Sequence, residues 1–343
     1  MERLILSGGL TDQMADYLLA IEEFEPIDVL VSQLDRHSIN KMIQLMDRGV
    51  VKSLFIDSGA YSAYTGQVDA IDVDEYCEYV NSIDDKICLV AQVDTIPGKY
   101  GVPKTPQDYI DAPEGSWKNY LYMRKRLKSP EKLIPVFHQQ EPFSALKRML
   151  DFRDESYNPE EDTRKKNEKG QVWSEEFGWI WPDRITVIGL SPMNDSSIPA
   201  REQFLKECYD YILKSDYPDA KTHIFGLTAF NSIKKFPCFS ADSVSHRLRS
   251  AYNKLWTRKW GTISLSDRPR TTKTKSNMSF MELADDRTLK EFKDLMAHYG
   301  FTLEQIKEEN AARVAVDIVE SLLSFKGDWA YKPGNLVRSK KLF

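Results

Sequence analysis

Short apolar runs recur along the chain, and each of them ends in polar or glycine residues. Most are followed by a segment in which apolar residues return every three or four positions, as in DQMADYLLAIEEF and REQFLKECYDYILK. The first pattern is typical of buried strands, and the second is typical of amphipathic helices. Eight runs fit the strand pattern: RLILSGG near the start, DVLVSQ at 28–33, SLFIDSG at 53–59, KICLVAQVD at 86–94, KLIPVFHQ at 132–139, RITVIGL at 184–190, THIFGL at 222–227 and CFSADS at 238–243.

Eight alternating strand and helix units favour an α/β fold, a (β/α)8 TIM-like barrel, over an open doubly wound sheet, because such a barrel takes about 250 residues. The units fill residues 1–245, which we predict to be the catalytic barrel. Residues 157–182 are polar and charge-dense, and we expect them to leave the barrel between the fifth and sixth strands as a loop or small hairpin. Residues 246–343 are expected to hold a basic segment and C-terminal helices that pack on the barrel.

The composition fits a chain with a sizeable core, since 41% of the 343 residues are hydrophobic and the formal net charge is −5. No apolar run approaches the roughly 18 residues that cross a bilayer, and MERLILSGGL shows no signal-peptide cleavage pattern. We therefore expect a cytoplasmic protein without membrane contact. The four cysteines are scattered and form no CxxC pair, which indicates neither a disulfide framework nor a thiolate zinc site: Cys77, Cys88, Cys208 and Cys238.

One segment is strongly basic, although the chain as a whole has a negative net charge. Between Arg247 and Lys275 there are nine basic residues and a single acid, Asp267, with Trp256 and Trp260 among them. Such a segment is typical of nucleic-acid contact, although a basic helix can also be only a solvated face. The two tryptophans, four positions apart, are either the apolar stripe of a helix or a base-stacking pair. The basic candidates for nucleic-acid contact are Arg247, Arg249, Arg258, Lys259, Arg268 and Arg270.

The carboxyl ends of parallel barrel strands share one rim, where the active sites of such barrels are assembled. At this rim we expect three carboxylates together with glutamine side chains, and glycines against which a flat ligand can lie. This combination predicts a site for a planar substrate that forms hydrogen bonds. An aspartate after a strand can instead cap the next helix, but the residues after Asp57 do not look like a first helical turn. The strand-end candidates are Asp57, Gln92, Asp94, His138, Gln139, Gly189, Gly226 and Asp242.

Two histidines lie inside strand patterns. His138 and His223 are therefore interpreted as packed or hydrogen-bonded histidines rather than metal ligands, and the sequence indicates no metal site.

The segment IDSGAYSAYTG resembles the DSGGFQ segment of the queuine and archaeosine tRNA-guanine transglycosylases. Five later segments resemble further motifs of that family in the same order: AQVDTIPG at 91–98, VFHQ at 136–139, VIGLSP at 187–192, IFGLTA at 224–229 and FSADSVSHR at 239–247.

The chain also departs from that family. DSGAY replaces DSGGF, GLSP lacks the glutamate that follows GGLAV, and no C-x-C-x-x-C zinc run follows Cys238. These departures resemble the phage branch, the DpdA-type 7-deazaguanine DNA transglycosylases, which exchange guanine in DNA for a deazaguanine such as preQ0.

The resemblance implies a pentosyltransferase that works by double displacement and needs no cofactor. It makes Asp242 the nucleophile that attacks C1′ and Asp57 the general acid and base. Asp94 would accept hydrogen bonds from N1–H and the 2-amino group, while Gln139 and the backbone N–H of Gly189 or Leu190 would satisfy O6. Ser58, Gly59, Tyr61 and Gly226 would complete the substrate pocket, with Tyr61 and Tyr64 enclosing the base between their rings.

The same resemblance implies DNA and a 7-deazaguanine base as partners, with tRNA left open, and the host cytoplasm as location if a phage encodes the protein. The target base must be flipped out of a duplex or presented on a single strand. A homodimer is also left open. Two other functions compete: a barrel hydrolase that passes the sugar of a nucleoside or glycoside to water, and a barrel that binds nucleic acid without catalysis.

Overall fold

The computed structural model describes residues 3–193, 196–226, 230–265 and 278–325. The strands of this part are β1 Arg3–Ser7, β2 Ile27–Ser32, β3 Val51–Asp57, β4 Ile87–Ala91, β5 Leu133–Ile134, β6 Val136–His138, β7 Val172–Ser174, β8 Gly178–Ile180, β9 Val187–Ser191, β10 Lys221–Ile224, β11 Ser240–Ser243, β12 Lys254–Thr257 and β13 Gly261–Ser264. Its α-helices are α1 Asp12–Ala20, α2 Arg36–Asp47, α3 Ala60–Tyr64, α4 Val73–Ser82, α5 Asp108–Arg124, α6 Phe143–Asp151, α7 Ile198–Ile212, α8 Phe230–Ile233, α9 Ser245–Ala251, α10 Phe280–Leu283, α11 Asp286–His298, α12 Leu303–Glu308 and α13 Asn310–Phe325.

Nine of these strands form one sheet in the order β5, β4, β3, β2, β1, β11, β10, β9, β6. Every neighbouring pair in it is parallel. The two outermost strands, β5 and β6, are separated in the chain only by Pro135, so they are two halves of one strand and the sheet meets itself. Proline has no N–H for the ladder, but its carbonyl oxygen accepts a 2.8 Å hydrogen bond from the Gly189 amide. The result is a nearly closed TIM-like barrel, and the predicted fold class is confirmed.

Barrel strands such as β4 and β9 are buried on both faces, which explains why they read as continuous hydrophobic runs. One set of side chains fills the barrel interior, and it includes Ile5, Phe55, Leu89 and Val187. The alternate positions of the same strands, such as Leu4 and Leu6 beside Ile5, belong to the outer core under the helices. This alternation fixes which strand-end side chains face the mouth of the barrel.

The predicted polar insertion lies between the fifth and sixth barrel strands, and it contains an antiparallel hairpin of β7 and β8. The hairpin covers the amino-terminal end of the barrel, because Val172, Phe177 and Ile180 pack into the interior cluster. Between its strands, Glu176 forms an ion pair with Arg3, the first residue of β1. The insertion therefore closes the end of the barrel that lies opposite the strand carboxyl ends.

The basic segment after the barrel is not one continuous helix. Helix α9 is followed by an antiparallel hairpin of β12 and β13. Trp256 lies in β12, and Trp260 packs against Phe280 and Phe292 with ring centroids 5.6 and 5.7 Å apart. Of the two interpretations left open for these tryptophans, the helical stripe is therefore excluded.

The C-terminal helical extension is confirmed. Its last helix, α13, packs against α1, α9 and β12, and so attaches the extension to the outside of the barrel. None of the helices in the described ranges has the length and apolar character that crossing a membrane requires.

Candidate active site

Three aspartates lie at the carboxyl end of the barrel. Asp57 is the last residue of β3, Asp242 lies in β11, and Asp94 follows β4 by three residues. Burial raises the pKa of Asp57, and the negative charges of Asp94 and Asp242 raise it further. Because the carboxyl ends of parallel barrel strands share one rim, the three carboxyl groups belong to one mouth, as the strand pattern predicted.

Asp242 is held by three groups from the two neighbouring strands, β1 and β10. Its carboxylate accepts hydrogen bonds from the Ser7 hydroxyl at 2.6 Å and from the Gly226 N–H at 2.8 Å. The Nε2 atom of His223 lies 3.4 Å from the Oδ1 atom of Asp242, in a poor alignment for a hydrogen bond. Burial acts to raise the pKa of Asp242, but the contacts with His223, Ser7 and Gly226 outweigh it and hold the pKa below its usual range. Asp242 is thus an ionised and fixed carboxylate.

Asp57 has the opposite environment. Burial is the main cause that raises its pKa to about 6. The N–H of Gly59, donated to Oδ2 at 3.1 Å, and the backbone of Ser58 offset this only in part. Within the described ranges no cationic side chain forms an ion pair with Asp57. A pair of carboxyl groups whose pKa values are displaced in opposite directions is a common arrangement for acid and base chemistry.

A short helix follows Asp57, contrary to the prediction. Helix α3 begins at Ala60, and Gly59 at its N-cap has the left-handed φ of 76°. A Cβ atom on Gly59 would lie 2.5 Å from Leu34 Cδ1, so only glycine fits this turn. The hydrogen bond from Gly59 to Asp57 shows that the helix-cap interpretation of Asp57 is right in part.

Ser58 is buried by this turn, and its predicted role in substrate binding needs correction. The residue is 2% exposed, and its hydroxyl accepts a 3.4 Å hydrogen bond from the Ala60 N–H. Its contribution is to the shape of the turn.

Asp94 belongs to a chain of polar contacts along the mouth. Its Oδ1 atom accepts from Gln92 Nε2 at 2.7 Å, and its Oδ2 atom lies 3.3 Å from His138 Nε2. On the other side of the ring, His138 Nδ1 contacts Glu141 Oε1 at 3.0 Å. Burial acts to lower the pKa of His138, but the two carboxylates outweigh it and raise the pKa to about 10. The interpretation of His138 as a hydrogen-bonded histidine is confirmed.

Gln139 lies at the same rim. The side-chain Oε1 atom of Gln139 accepts a 2.9 Å hydrogen bond from the Met193 N–H. The backbone N–H of Gln139 donates to the Ser191 carbonyl oxygen at 3.0 Å. These contacts fix the amide, and the donor atom Nε2 has no acceptor within the described ranges.

The backbone N–H groups of two predicted site glycines are already used inside the protein. The Gly189 N–H binds Pro135 across the barrel seam, and the Gly226 N–H binds Asp242. Gly189 is also required by packing, since a Cβ atom there would lie 2.7 Å from Phe225 Cε2. Leu190 is fully buried in the outer core. The prediction that Gly189 satisfies O6 is thus wrong, and Gly226 holds the Asp242 carboxylate.

The tyrosines after Asp57 do not enclose a base as predicted. The ring centroids of Tyr61 and Tyr64 are 6.3 Å apart and the rings are tilted by 42°, whereas an inserted base needs two parallel rings about 7 Å apart. Tyr64 instead packs edge-on against Tyr100 and donates to the Pro97 carbonyl oxygen at 3.3 Å. Tyr61 remains 65% exposed beside them.

Much of the predicted basic surface is paired with the C-terminal helices. The guanidinium of Arg249 forms an ion pair with Asp317, a residue that is 1% exposed. Arg258 pairs with Glu320, and Lys259 pairs with Glu291. These three cations are therefore paired within the protein, and Arg268 and Arg270 lie outside the described residues.

Arg247 differs from these three. It is exposed, and its guanidinium lies over Gly8, directly after β1, so closely that a Cβ atom on Gly8 would be 2.3 Å from Nη1. No acidic side chain of the described ranges forms an ion pair with it. This places an uncompensated positive charge at the mouth, in the first turn of the helix α9 that follows the Asp242 strand.

The site also contains residues that the sequence did not single out. Ser7 and Glu141 were missed because a serine after a strand and a glutamate in a loop carry no distinctive spacing. His223 was assigned to a strand, but its contact with Asp242 follows only from the pairing of β10 with β11. In the described ranges no three His, Cys, Asp or Glu side chains are grouped as a metal site requires.

Comparisons with known proteins add little to this geometry. No family model matches the chain, and no curated protein matches it. Among solved structures, the chain is similar to a probable tagatose 6-phosphate kinase from Sinorhizobium meliloti 1021, with 12% identity and a TM-score of 0.39 over 99% of this chain and 90% of that chain. A similarity at this level carries no conclusion about activity.

Proposed function

We propose that the protein is a guanine transglycosylase that exchanges guanine in nucleic acid, DNA in the first place, for a 7-deazaguanine base such as preQ0. One observation carries the proposal: Asp242 and Asp57 face the same mouth, and their pKa values are displaced in opposite directions. Exchange with retained configuration at C1′ requires an ionised nucleophile and a carboxyl that is protonated near neutral pH.

In the first displacement, a carboxylate oxygen of Asp242 attacks C1′ of the nucleotide. The C1′–N9 bond breaks, its electron pair moves to the purine, and Asp57 gives its proton to the departing base. Guanine leaves, and the sugar remains as an ester of Asp242. Because the pKa of Asp57 is raised to about 6, the proton donor is available without strongly acidic conditions.

In the second displacement, the Asp57 carboxylate removes the N9 proton of the incoming base. N9 attacks C1′, and Asp242 leaves with the electron pair of the ester bond. Two inversions give overall retention. Asp94 and Gln139 lie at the same rim. There Asp94 would accept hydrogen bonds from N1–H and the 2-amino group of the base, and Gln139 would donate to O6.

Arg247 supports nucleic acid as the larger substrate. It is an exposed cation beside Gly8 at the mouth, next to the Asp242 strand, and a phosphate near the reacting sugar would find it there. The absence of the C-x-C-x-x-C zinc run from the sequence favours DNA over tRNA, and we treat tRNA as the alternative substrate.

The test is incubation of the full chain with labelled guanine or preQ0 and with single-stranded DNA, duplex DNA or tRNA, followed by mass analysis of the nucleosides. Incorporation into DNA is the expected result. Release of guanine with an abasic sugar would instead indicate a hydrolase, and binding without turnover would indicate a non-catalytic barrel.

The nucleophile is tested by trapping the covalent adduct under denaturing conditions. Asp242→Asn should abolish the adduct, whereas Asp74→Asn should retain it, because Asp74 is an exposed carboxylate of the outer helix α4. A full yield of adduct from Asp242→Asn would show that another residue attacks C1′.

A further inference from the structure

Glu141 holds His138 at two points. Its Oε1 atom lies 3.0 Å from the ring atom Nδ1, and its Oε2 atom accepts from the His138 backbone N–H at 3.1 Å. The Glu141 side chain is 2% exposed, so water cannot replace these contacts easily. The second ring nitrogen of His138, Nε2, faces Asp94.

Both ring nitrogens therefore face carboxylates, which can only accept hydrogen bonds. A neutral imidazole has one donor and one acceptor, and its acceptor nitrogen would repel one of the two partners. Only the imidazolium satisfies Glu141 and Asp94 together. Asp94 and Glu141 are the titratable groups that face this ring.

The loop that carries Glu141 is a tight turn with an unusual backbone. The Glu141 N–H donates to the His138 carbonyl oxygen at 3.1 Å, and Gln140 between them has a left-handed φ of 84°. Such a conformation is unfavourable for a residue other than glycine and is often retained at functional sites. Here it directs the Glu141 carboxylate back toward the ring of His138.

Asp94 is fixed by this arrangement. Gln92 binds one carboxylate oxygen and His138 faces the other, so the plane of the carboxylate is set while each oxygen keeps a lone pair for a ligand. Two adjacent oxygens of this kind match two adjacent N–H donors, such as N1–H and the 2-amino group of a guanine-type base.

We propose that Glu141 is a positioning residue that acts through His138 to hold the Asp94 carboxylate ready for bases with two adjacent N–H donors. The inference rests on the proposed function, because it concerns the same base site. It adds the residue that sets base selectivity without touching the base.

The variant Glu141→Gln keeps the shape of the side chain but removes its charge. At pH 8, His138 should then lose the proton on Nδ1, which can accept from the new amide, and keep Nε2–H toward Asp94. The charge-assisted hydrogen bond that holds the carboxylate becomes an ordinary one of about half the strength, so the carboxylate is held less firmly for the base. At pH 6 the ring should regain its proton, and binding should recover. A purely structural role of Glu141 would not produce this recovery at low pH.

The matched control is Glu207→Gln. Glu207 lies in α7 and lines, with Glu141, a cavity with a volume of about 360 Å³. It does not contact His138, because its partner is Gln203 at 2.6 Å. The control thus removes the same charge from the same cavity and leaves the ring untouched.

The experiment is calorimetric titration of the full chain with free guanine and with hypoxanthine, which lacks the 2-amino group, at pH 8 and pH 6. Wild type and Glu207→Gln should prefer guanine at both pH values. Glu141→Gln should bind guanine about threefold to tenfold more weakly at pH 8, lose part of the preference, and regain it at pH 6. Because this measurement needs no turnover, it is independent of the exchange assay.

Unchanged guanine affinity and preference in Glu141→Gln at both pH values would overturn the inference alone. If wild type bound neither base, the proposed function would fall and this inference with it. Ring ¹⁵N spectra of wild type at pH 8 provide a check that does not depend on the folding of a variant: the imidazolium supports the inference, and a neutral ring overturns it.

Discussion

The two ends of the barrel treat buried charge in opposite ways. At the amino-terminal end, Arg3 binds Asp28 at 2.7 Å and also pairs with Glu176 of the hairpin that covers this end. At the carboxyl end, Asp57 is half-buried beside two other carboxylates and has no cationic partner in the described ranges. The covered end satisfies its charges and contributes stability. The open end leaves one carboxyl unsatisfied, and that is the group that can exchange a proton.

The largest effect should come from removing that carboxyl. We expect Asp57→Asn to lower the rate of base exchange by about 10²- to 10⁴-fold, because no proton reaches the departing guanine. The amide oxygen can still accept from the Gly59 N–H, so substrate binding should be retained. Radiolabel incorporation under single-turnover conditions measures the rate, and wild-type turnover would remove Asp57 from the mechanism.

The same variant should be more stable than wild type at high pH. The pKa of Asp57 is raised from 3.8 to about 6 in the folded protein, so folding favours the protonated form, and its stabilising contribution is lost as the pH rises through about 6. Above that pH the ionised carboxylate costs up to about 3 kcal/mol. In denaturant unfolding, Asp57→Asn should have a larger free energy of unfolding than wild type at pH 8, and the two should be equal at pH 4.

At the covered end, the expected effect is on stability alone. Arg3→Met leaves Asp28, which is 6% exposed, without its cation. Breaking a buried ion pair in this way costs about 3 to 5 kcal/mol. Urea unfolding measures the loss, and the exchange rate per folded molecule should not change.

The control for this prediction is Arg48→Met, which removes an exposed cation that pairs with Asp12 and Asp16. Exposed pairs contribute less than about 1 kcal/mol. If Arg3→Met and Arg48→Met had equal effects on unfolding, the covered end would not owe its stability to a buried ion pair.

The sequence predicted the open end better than the covered one. Strands buried on both faces leave continuous apolar runs, and the parallel topology brings their carboxyl ends together, so Asp57, Asp94 and Asp242 followed from the pattern. The hairpin that covers the other end has only three inward apolar residues in a polar segment, too few to indicate where it packs.

The partners of the basic residues could not be predicted for a different reason. Arg249 meets Asp317 across 68 positions, and Arg258 meets Glu320 across 62. Such pairs depend on how α13 packs against α9 and β12, and no local spacing encodes it. Likewise, the hydrogen bond from the Gly189 N–H to the Pro135 carbonyl oxygen forms only because the barrel closes, which no local spacing encodes.

A smaller effect is expected in the layer between the two ends. In Gly189→Ala, the new Cβ atom would lie 2.7 Å from Phe225 Cε2 and 3.2 Å from the Pro135 carbonyl oxygen. Phe225 can move only in part, so we expect a loss of about 1 to 3 kcal/mol in the free energy of unfolding. The double variant with Phe225→Leu should recover part of it, and no recovery would mean that the backbone contact at Pro135 dominates.

The smallest effect concerns the rim of the open end. Arg247 is exposed and unpaired within the described ranges, whereas Lys259 of the same basic segment already binds Glu291 at 2.9 Å. If Arg247 neutralises one phosphate, Arg247→Gln should lower the slope of log K against log salt by about 0.7 for a single strand. Lys259→Gln should leave the slope unchanged, because its charge is compensated in the folded protein. Fluorescence anisotropy with a labelled oligonucleotide at several salt concentrations measures both slopes, and equal reductions would mean that the whole segment, rather than the residue at the mouth, contacts the strand.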